Sequence, residues 1–348
     1  MARIAIVART ARGTTGQVRL VLDQARHLNS EGHEVAVVSE RSTKDLPDNG
    51  FKSITIKCPW WQRYRRRERF LQRANKVVNE NYDLIVGHGD LLHQDVVHIH
   101  NCVHYHSELI NRSPLSPSDK IGRFHRKIFT EGSFRRLIAN SQMMKNDLCS
   151  RWSLNPDKVE VVNPGFDEQL FNPENIREMK SAARSRLGIK DGTVAMGIVT
   201  SGGFLTRGVG TLLQAYALLP GRHKEKTCLV IAGSDDRRPW KHMEWYSILD
   251  VYVNVGHDSF GMAAQEAMAC GVTTILGNAV GAAELLPSEF LKIPSFDPLI
   301  LATRLKSLTD DAQRRAQLGE DCSRAVAHNT WTQCRTSTSK IYESVIQE

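Results

Sequence analysis

The stretch from His257 to Ile275, HDSFGMAAQEAMACGVTTI, carries two carboxylates, Asp258 and Glu266, eight positions apart. If the whole segment were helical, a rise of about 1.5 Å per residue would separate them by about 12 Å. Paired glycosidase acids sit about 5 to 9.5 Å apart, so this spacing excludes that chemistry. Ser259 is in place to be an N-cap, and Gly261 leaves the backbone bare at the helix start, where unpaired N–H groups and the dipole attract an anion. A phosphate would fit between the two acids. A purely structural reading competes. Phe260, Met262, Ala263, Ala267, Met268 and Ala269 make an apolar face, and Gly271 stops the helix before a strand, VTTIL. It leaves Glu266 unexplained, because a poorly solvated carboxylate is costly without a partner.

Three other stretches carry chemistry-bearing side chains. In ARTARGTTGQ, Gly13 and Gly16 would let the backbone approach a ligand closely, or simply form a strand-to-helix turn. In VVHIHNCVHYH, His98, His100, Cys102, His104 and His106 alternate; one continuous strand would put all five on one face, where they could bind zinc or pack as structural histidines. The run WWQRYRRRERF, Trp60 to Phe70, interleaves aromatics with arginines. That mixture suits an anionic membrane surface, at about 1 kcal/mol per basic residue, or else a solvated basic helix face. FHRKIF and FRRLI could extend this basic surface. No nucleic-acid motif accompanies the charge, so nucleic acid is not expected as a partner.

The elements that must position these residues follow from the apolar pattern. The chain has 348 residues, 41% hydrophobic and 24% charged, enough for two cores in a globular protein. A net charge of +8 favours an anionic partner. The seven cysteines include no C-x-x-C pair and read as reduced thiols, and no apolar run is long enough to span a bilayer. MARIAIVART reads as a first strand rather than a signal peptide. A helix is expected from about Gly16 to Ser30. HEVAVVS, KSITIKC, DLIVGH, DVVHIH, RRLIANS and KVEVV read as strands, and the second half restarts with TVAMGIVTSGG, TCLVIAGS, LDVYVNVG and VTTILGN. Strands alternating with helices predict α/β architecture with parallel sheets. Asn163-Pro164-Gly165 breaks the pattern and marks a hinge. The expected division is 1–163, 164–330, and a C-terminal helix over 331–348 packing back on the first domain.

Several segments, in order and spacing, resemble one family. GHEVAVVS, LIANSQMMKNDL, VEVVNPGFDEQLFNP, TRGVGTLLQAYALL, LVIAGS, DSFGMAAQEAMACG and GAAELL match the retaining glycosyltransferases of the group 1 type. The resemblance runs from about Ile4 to Tyr342, and His98 to Glu108 looks similar to lipopolysaccharide-core glucosyltransferases. It implies the GT-B fold, two Rossmann-like domains facing each other across a cleft, with the acceptor on the first and the donor on the second. In that family a Glu-x7-Glu segment holds a nucleotide sugar. Its second acid, matched by Glu266, takes the ribose hydroxyls, and its first, matched by Asp258, sits by the donor sugar. The amides of Phe260, Gly261 and Met262 face the sugar and diphosphate. Arg207 stands at the position of a lysine that neutralises the leaving diphosphate, which metal-free cleavage needs. Gly13 and Gly16 fall on the loop over the diphosphate, and His100 or Asn101 faces the donor sugar.

Three departures stand out. Asp258 is one methylene shorter than the family's glutamate, which puts the donor sugar in question. The family's second basic residue is missing near Ser201. After LVIAGS, the segment Asp235 to Lys241 is too short for the usual helix and strand, whose mean lengths are about 11 and about 5 to 6 residues. That unit ordinarily contacts the nucleobase, so RRPW would have to compensate.

The resemblance therefore implies a hexosyltransferase using a nucleotide-diphosphate sugar, a UDP-sugar in the first place, with no cofactor or metal. It would act on a bacterial glycolipid or polysaccharide, such as lipopolysaccharide core, with anomeric configuration retained. The expected location is cytoplasmic, peripheral on the inner face of the cytoplasmic membrane. The alternatives are a degenerate binding or scaffold protein and a nucleotide-sugar epimerase.

Overall fold

The computed structural model describes residues 1–12, 16–42, 50–58, 66–78, 81–200, 202–233 and 242–348. The chain divides into two units, one of Met1–Asn163 with Thr332–Glu348 and one of Pro164–Trp331.

Unit 1 begins with β1 (Arg3–Val7), β2 (Thr10–Ala11), α1 (Gly16–Ser30), β3 (Glu34–Ser39), β4 (Arg41–Ser42) and β5 (Lys52–Thr55). It continues with α2 (Arg66–Val78), β6 (Leu84–Gly87), β7 (Val96–Ile99), α3 (Val103–Ile110) and α4 (Lys120–Thr130). β8 (Arg136–Ala139), α5 (Gln142–Trp152) and β9 (Val159–Val161) complete it. The main sheet is parallel, in the order β5-β3-β1-β6-β7-β8-β9. In β1, Ile4 to Val7 are all buried, as a strand covered on both faces must be. Helix α1 buries Val18, Val21, Ala25 and Leu28, one stripe at helical spacing. The order reverses between β1 and β6, and in open parallel sheets ligands bind beyond the carboxyl ends of strands at such a point.

Unit 2 contains α6 (Pro173–Arg186), β10 (Val194–Val199), α7 (Val209–Ala217), α8 (Gly221–Lys224) and β11 (Thr227–Ala232). Then come α9 (His242–Ile248), β12 (Val251–Asn254), α10 (Met262–Ala269), β13 (Thr273–Gly277) and β14 (Lys292–Ile293). α11 (Pro298–Asp310) and α12 (Ala312–Val326) follow, and α13 (Trp331–Gln347) ends the chain. The sheet is again parallel, β11-β10-β12-β13-β14, with its switch between β10 and β12. Gly197 of β10 has to be glycine, because a Cβ there would lie 1.8 Å from the Val230 carbonyl oxygen on β11.

Tyr342 and Val345 of α13 are buried in the same cluster as Ile4, Val37 and Leu84. The segment Asp235 to Lys241, whose shortness was expected to remove a helix and strand, lies outside the described residues, as does RRPW. Among the described residues β11 is an edge strand, and α9 is the element between it and β12. No described helix is long and apolar enough to cross a membrane.

Candidate functional site

In unit 2 the loops after β10, β12 and β13 meet at the carboxyl edge of the sheet. A Cβ on Gly256 would lie 2.0 Å from the Thr206 carbonyl oxygen, and one on Gly208 2.8 Å from the Gly256 amide. These two glycines let the first two loops press backbone to backbone. His257 N donates to Thr206 O at 2.7 Å, and its Nδ1 contacts Ala279 O at 3.0 Å. Asp258 N donates to Ala279 O, which ties in the loop after β13.

This packing brings Arg207 and Asp258 together. Arg207 Nη1 donates to His257 O at 3.1 Å and forms an ion pair with the Asp258 carboxylate. The two residues expected to serve diphosphate and sugar separately are here also paired with each other. The shorter aspartate lies low on the loop, with Oδ2 3.6 Å from where a Gly261 Cβ would be. Gly261 is itself the N-cap, at φ 101°, and α10 starts at Met262, so Ser259 does not cap it and Asp258 precedes the helix. No side chain caps α10, which leaves first-turn amides for an outside acceptor. The Phe260 side chain is buried in the core and Met262 packs against it, so only their backbone could serve a ligand.

Glu266 lies one turn further, 5% exposed. Its Oε2 accepts from the Tyr246 hydroxyl at 2.7 Å. Burial, and then the negative charge of Glu266, push the Tyr246 phenol well above its ordinary pKa, so it stays protonated as the donor. The carboxylate thus has the partner that the apolar helix context demanded.

In unit 1 the corresponding edge is stitched by two buried acids. Asp90 accepts from Arg9 N at 2.9 Å and from Arg67 Nη2 at 3.0 Å. Glu40 pairs with Arg66 and, at 3.9 Å, with Arg9. Arg66 and Arg67 therefore pair with acids of their own unit, which a reading of the run as free surface charge did not foresee. Trp60 to Arg65 lie outside the described residues. So does Gly13, while Gly16 opens α1.

Of the alternating histidines, only His98 lies on β7, which ends at Ile99. The five do not share a face, because α3 begins at Val103. His100 instead meets His88, with Nε2 2.9 Å from His88 Nδ1, and His98 Nε2 contacts the Tyr342 hydroxyl at 2.7 Å. His104 Nε2 lies 3.4 Å from Gly122 O on α4. Among the described residues no group of histidines, cysteines and acids is arranged to hold a metal. Burial lowers the His100 pKa to about 4. His88, Asp90, Glu40 and Tyr246 were not singled out from the sequence. His88 and Glu40 directly follow strands of a parallel sheet, and Asp90 lies in the loop after β6, positions that alone mark candidates.

The family model for Glycosyltransferase Family 4 matches residues 14–170. Residues 14–170 are a glycosyltransferase family 4 domain. The family 4 domain carries His88, Asp90 and His100, while Arg207, Asp258 and Glu266 follow it in unit 2. Curated relatives include D-inositol 3-phosphate glycosyltransferases. That of Corynebacterium kroppenstedtii is 24% identical over 69% of this chain and 60% of the relative. That of Corynebacterium glutamicum is 27% identical over 60% of this chain and 57% of the relative. The matched stretch thus spans less than two thirds of either relative's length. Among solved structures, WaaG, a glycosyltransferase involved in lipopolysaccharide biosynthesis, has a TM-score of 0.78 at 16% identity, covering 97% of this chain and 99% of that one. Anabaena HepE in complex with UDP-glucose has a TM-score of 0.75 at 15% identity, covering 99% of this chain and 100% of that one. The chain has the GT-B fold of these proteins.

Proposed function

We propose that the protein is a glycosyltransferase that moves a hexose from a UDP-sugar to a glycolipid or polysaccharide acceptor of a bacterial envelope, with retention and without a metal. The observation that carries this reading is the buried Glu266 carboxylate, held by Tyr246 beside the uncapped start of α10. Glu266 takes the ribose hydroxyls, and the amides of Phe260, Gly261 and Met262 take the diphosphate. Arg207 balances the leaving group's charge, which requires its pairing with Asp258 to open or to be shared with the phosphate. Asp258, once turned from Arg207, reaches the sugar, and His100, Gly13 and Gly16 are the candidates that the family resemblance puts forward in unit 1. HepE, solved with UDP-glucose, supports the choice of base, and WaaG supports a lipopolysaccharide acceptor.

The inner face of the membrane is the proposed location. Its support is α4, which buries Phe124, Ile128 and Phe129 while Arg123, Arg126 and Lys127 are exposed beside Ile121. Calorimetric titration with UDP, GDP, ADP and their sugar conjugates tests the reading. Micromolar binding of UDP-sugar, weakened about tenfold or more by Glu266→Ala, is expected. No binding of any nucleotide would leave the scaffold reading in its place.

A further inference from the structure

The three histidines at the carboxyl edge of unit 1 form an ordered array whose hydrogen positions follow from geometry. His88 follows β6 with its backbone pinned on both sides: its N donates to Val7 O at 2.9 Å and its O accepts from Gln17 Nε2 at 3.3 Å. One face of its ring lies against His98, with centroids 4.7 Å apart and planes 10° apart. His98 is in turn held by Tyr342.

The His88 and His100 planes differ by only 3°, and their centroids are 5.2 Å apart. That separation equals the 2.9 Å N···N contact plus the two ring radii, so the rings lie edge to edge in one plane. The two nitrogens fall on the line joining the centroids. This is a straight hydrogen bond, not a stacking contact.

Burial holds His100 neutral, and burial with the neighbouring histidines holds His88 neutral, so each ring carries one N–H. Two arrangements remain. If His100 Nε2 donates, the proton of His88 must be on its own Nε2. That atom is buried and has no partner among the described residues, and an orphaned buried N–H is among the rarest features of native proteins. If His88 Nδ1 donates, the orphan is only a bare lone pair.

We infer that His88 is a positioning residue that donates from Nδ1 to His100 Nε2, fixing His100 in its ring plane as the Nδ1–H tautomer. His100 is thereby a hydrogen-bond donor, suited to a sugar hydroxyl or phosphate oxygen, and not a base. The catalytic consequence rests on the reading of His100 as a donor-sugar contact; the tautomer does not.

Long-range 15N–1H correlation spectra of the labelled full chain, assigned with His88→Asn and His100→Gln, read the tautomer directly. His100 with a protonated Nδ1 and a bare Nε2 is expected. His100 protonated at Nε2 overturns the inference, even if the wild-type protein proves to bind no nucleotide, an outcome that would sink only the proposed function. In an active enzyme, His88→Asp substitutes an acceptor and moves the proton to His100 Nε2. It should lower kcat about tenfold or more with little change in donor KM, while His88→Asn, an amide in place of Nδ1, restores it. Equal kcat in the Asp variant and wild type would overturn the catalytic consequence.

Discussion

Replacing Tyr246 by phenylalanine removes one oxygen and nothing else. The ring is fully buried, edge-on to Phe171 with centroids 5.9 Å apart, and phenylalanine keeps that packing. What is lost is the 2.7 Å bond to a carboxylate that is itself 5% exposed. A hydrogen bond to a charged group is worth about 1.5 to 3 kcal/mol, so the loss should be near 2 kcal/mol. For a unit of this size that corresponds to a fall in Tm of about 4 to 8 °C. Urea unfolding followed by tryptophan fluorescence suits the question, because Trp245 is the adjacent residue and is buried. The decisive comparison is a double-mutant cycle. In a Glu266→Leu background the same Tyr246→Phe change should cost almost nothing, because no charge is left to serve. A loss below about 0.5 kcal/mol in the wild-type background, or an equal loss in both, would show that the hydroxyl does not support Glu266.

Two further outcomes follow from buried groups. His125 of α4 is 8% exposed, and burial, with the charge of Arg67 next, lowers its pKa to about 4. The unfolded chain therefore takes up the proton first, near pH 6.5. The contribution is intact above that value and falls as pH drops towards 4, by about 2 kcal/mol between pH 7 and pH 5. Urea midpoints at the two pH values should differ less in His125→Gln than in wild type; parallel shifts would refute the assignment. Gly197→Ala should abolish the folding of unit 2, because the new methyl meets the Val230 carbonyl of the paired strand, whereas Gly210→Ala has open space and should be neutral or stabilising by up to about 1 kcal/mol. Soluble yield and thermal melts of the two variants check this contrast.

The parallel sheets were readable because their inner strands, such as β1, β7, β10, β12 and β13, are short apolar runs buried on both sides, and α1 because its apolar residues recur at helical spacing. The site was readable in part. Glu266 drew notice as a charge in an apolar helix, which is a local property. What supplied its partner was not local, since Tyr246 lies on a different helix and looks like any core aromatic. The alternating histidines misled for a related reason. Alternation defines a face only while the strand continues, and nothing in HIHNCVHYH says that pairing with β8 stops at Ile99. Arg66 and Arg67 misled because a run of arginines suggests a solvated surface, while their acids, Glu40 and Asp90, sit after distant strands. The preference of Asp258 for Arg207 depends on two loops held together by glycines, a contact no spacing rule encodes.

The bond between His98 and Tyr342 joins positions 244 residues apart. On the ribosome, the sheet of unit 1 is complete once Val161 has emerged, yet its core lacks Tyr342 and Val345 until the whole of Pro164–Trp331 has been made. At about 5 to 20 residues per second that is a wait of roughly 10 to 30 s. During that interval the groove destined for α13 is bare apolar surface, with the buried His98 exposed in it. The later unit is thus free to fold first, and the earlier one depends on a segment made after it, so premature termination just before Thr332 would spare the second unit and expose the first to aggregation and proteolysis.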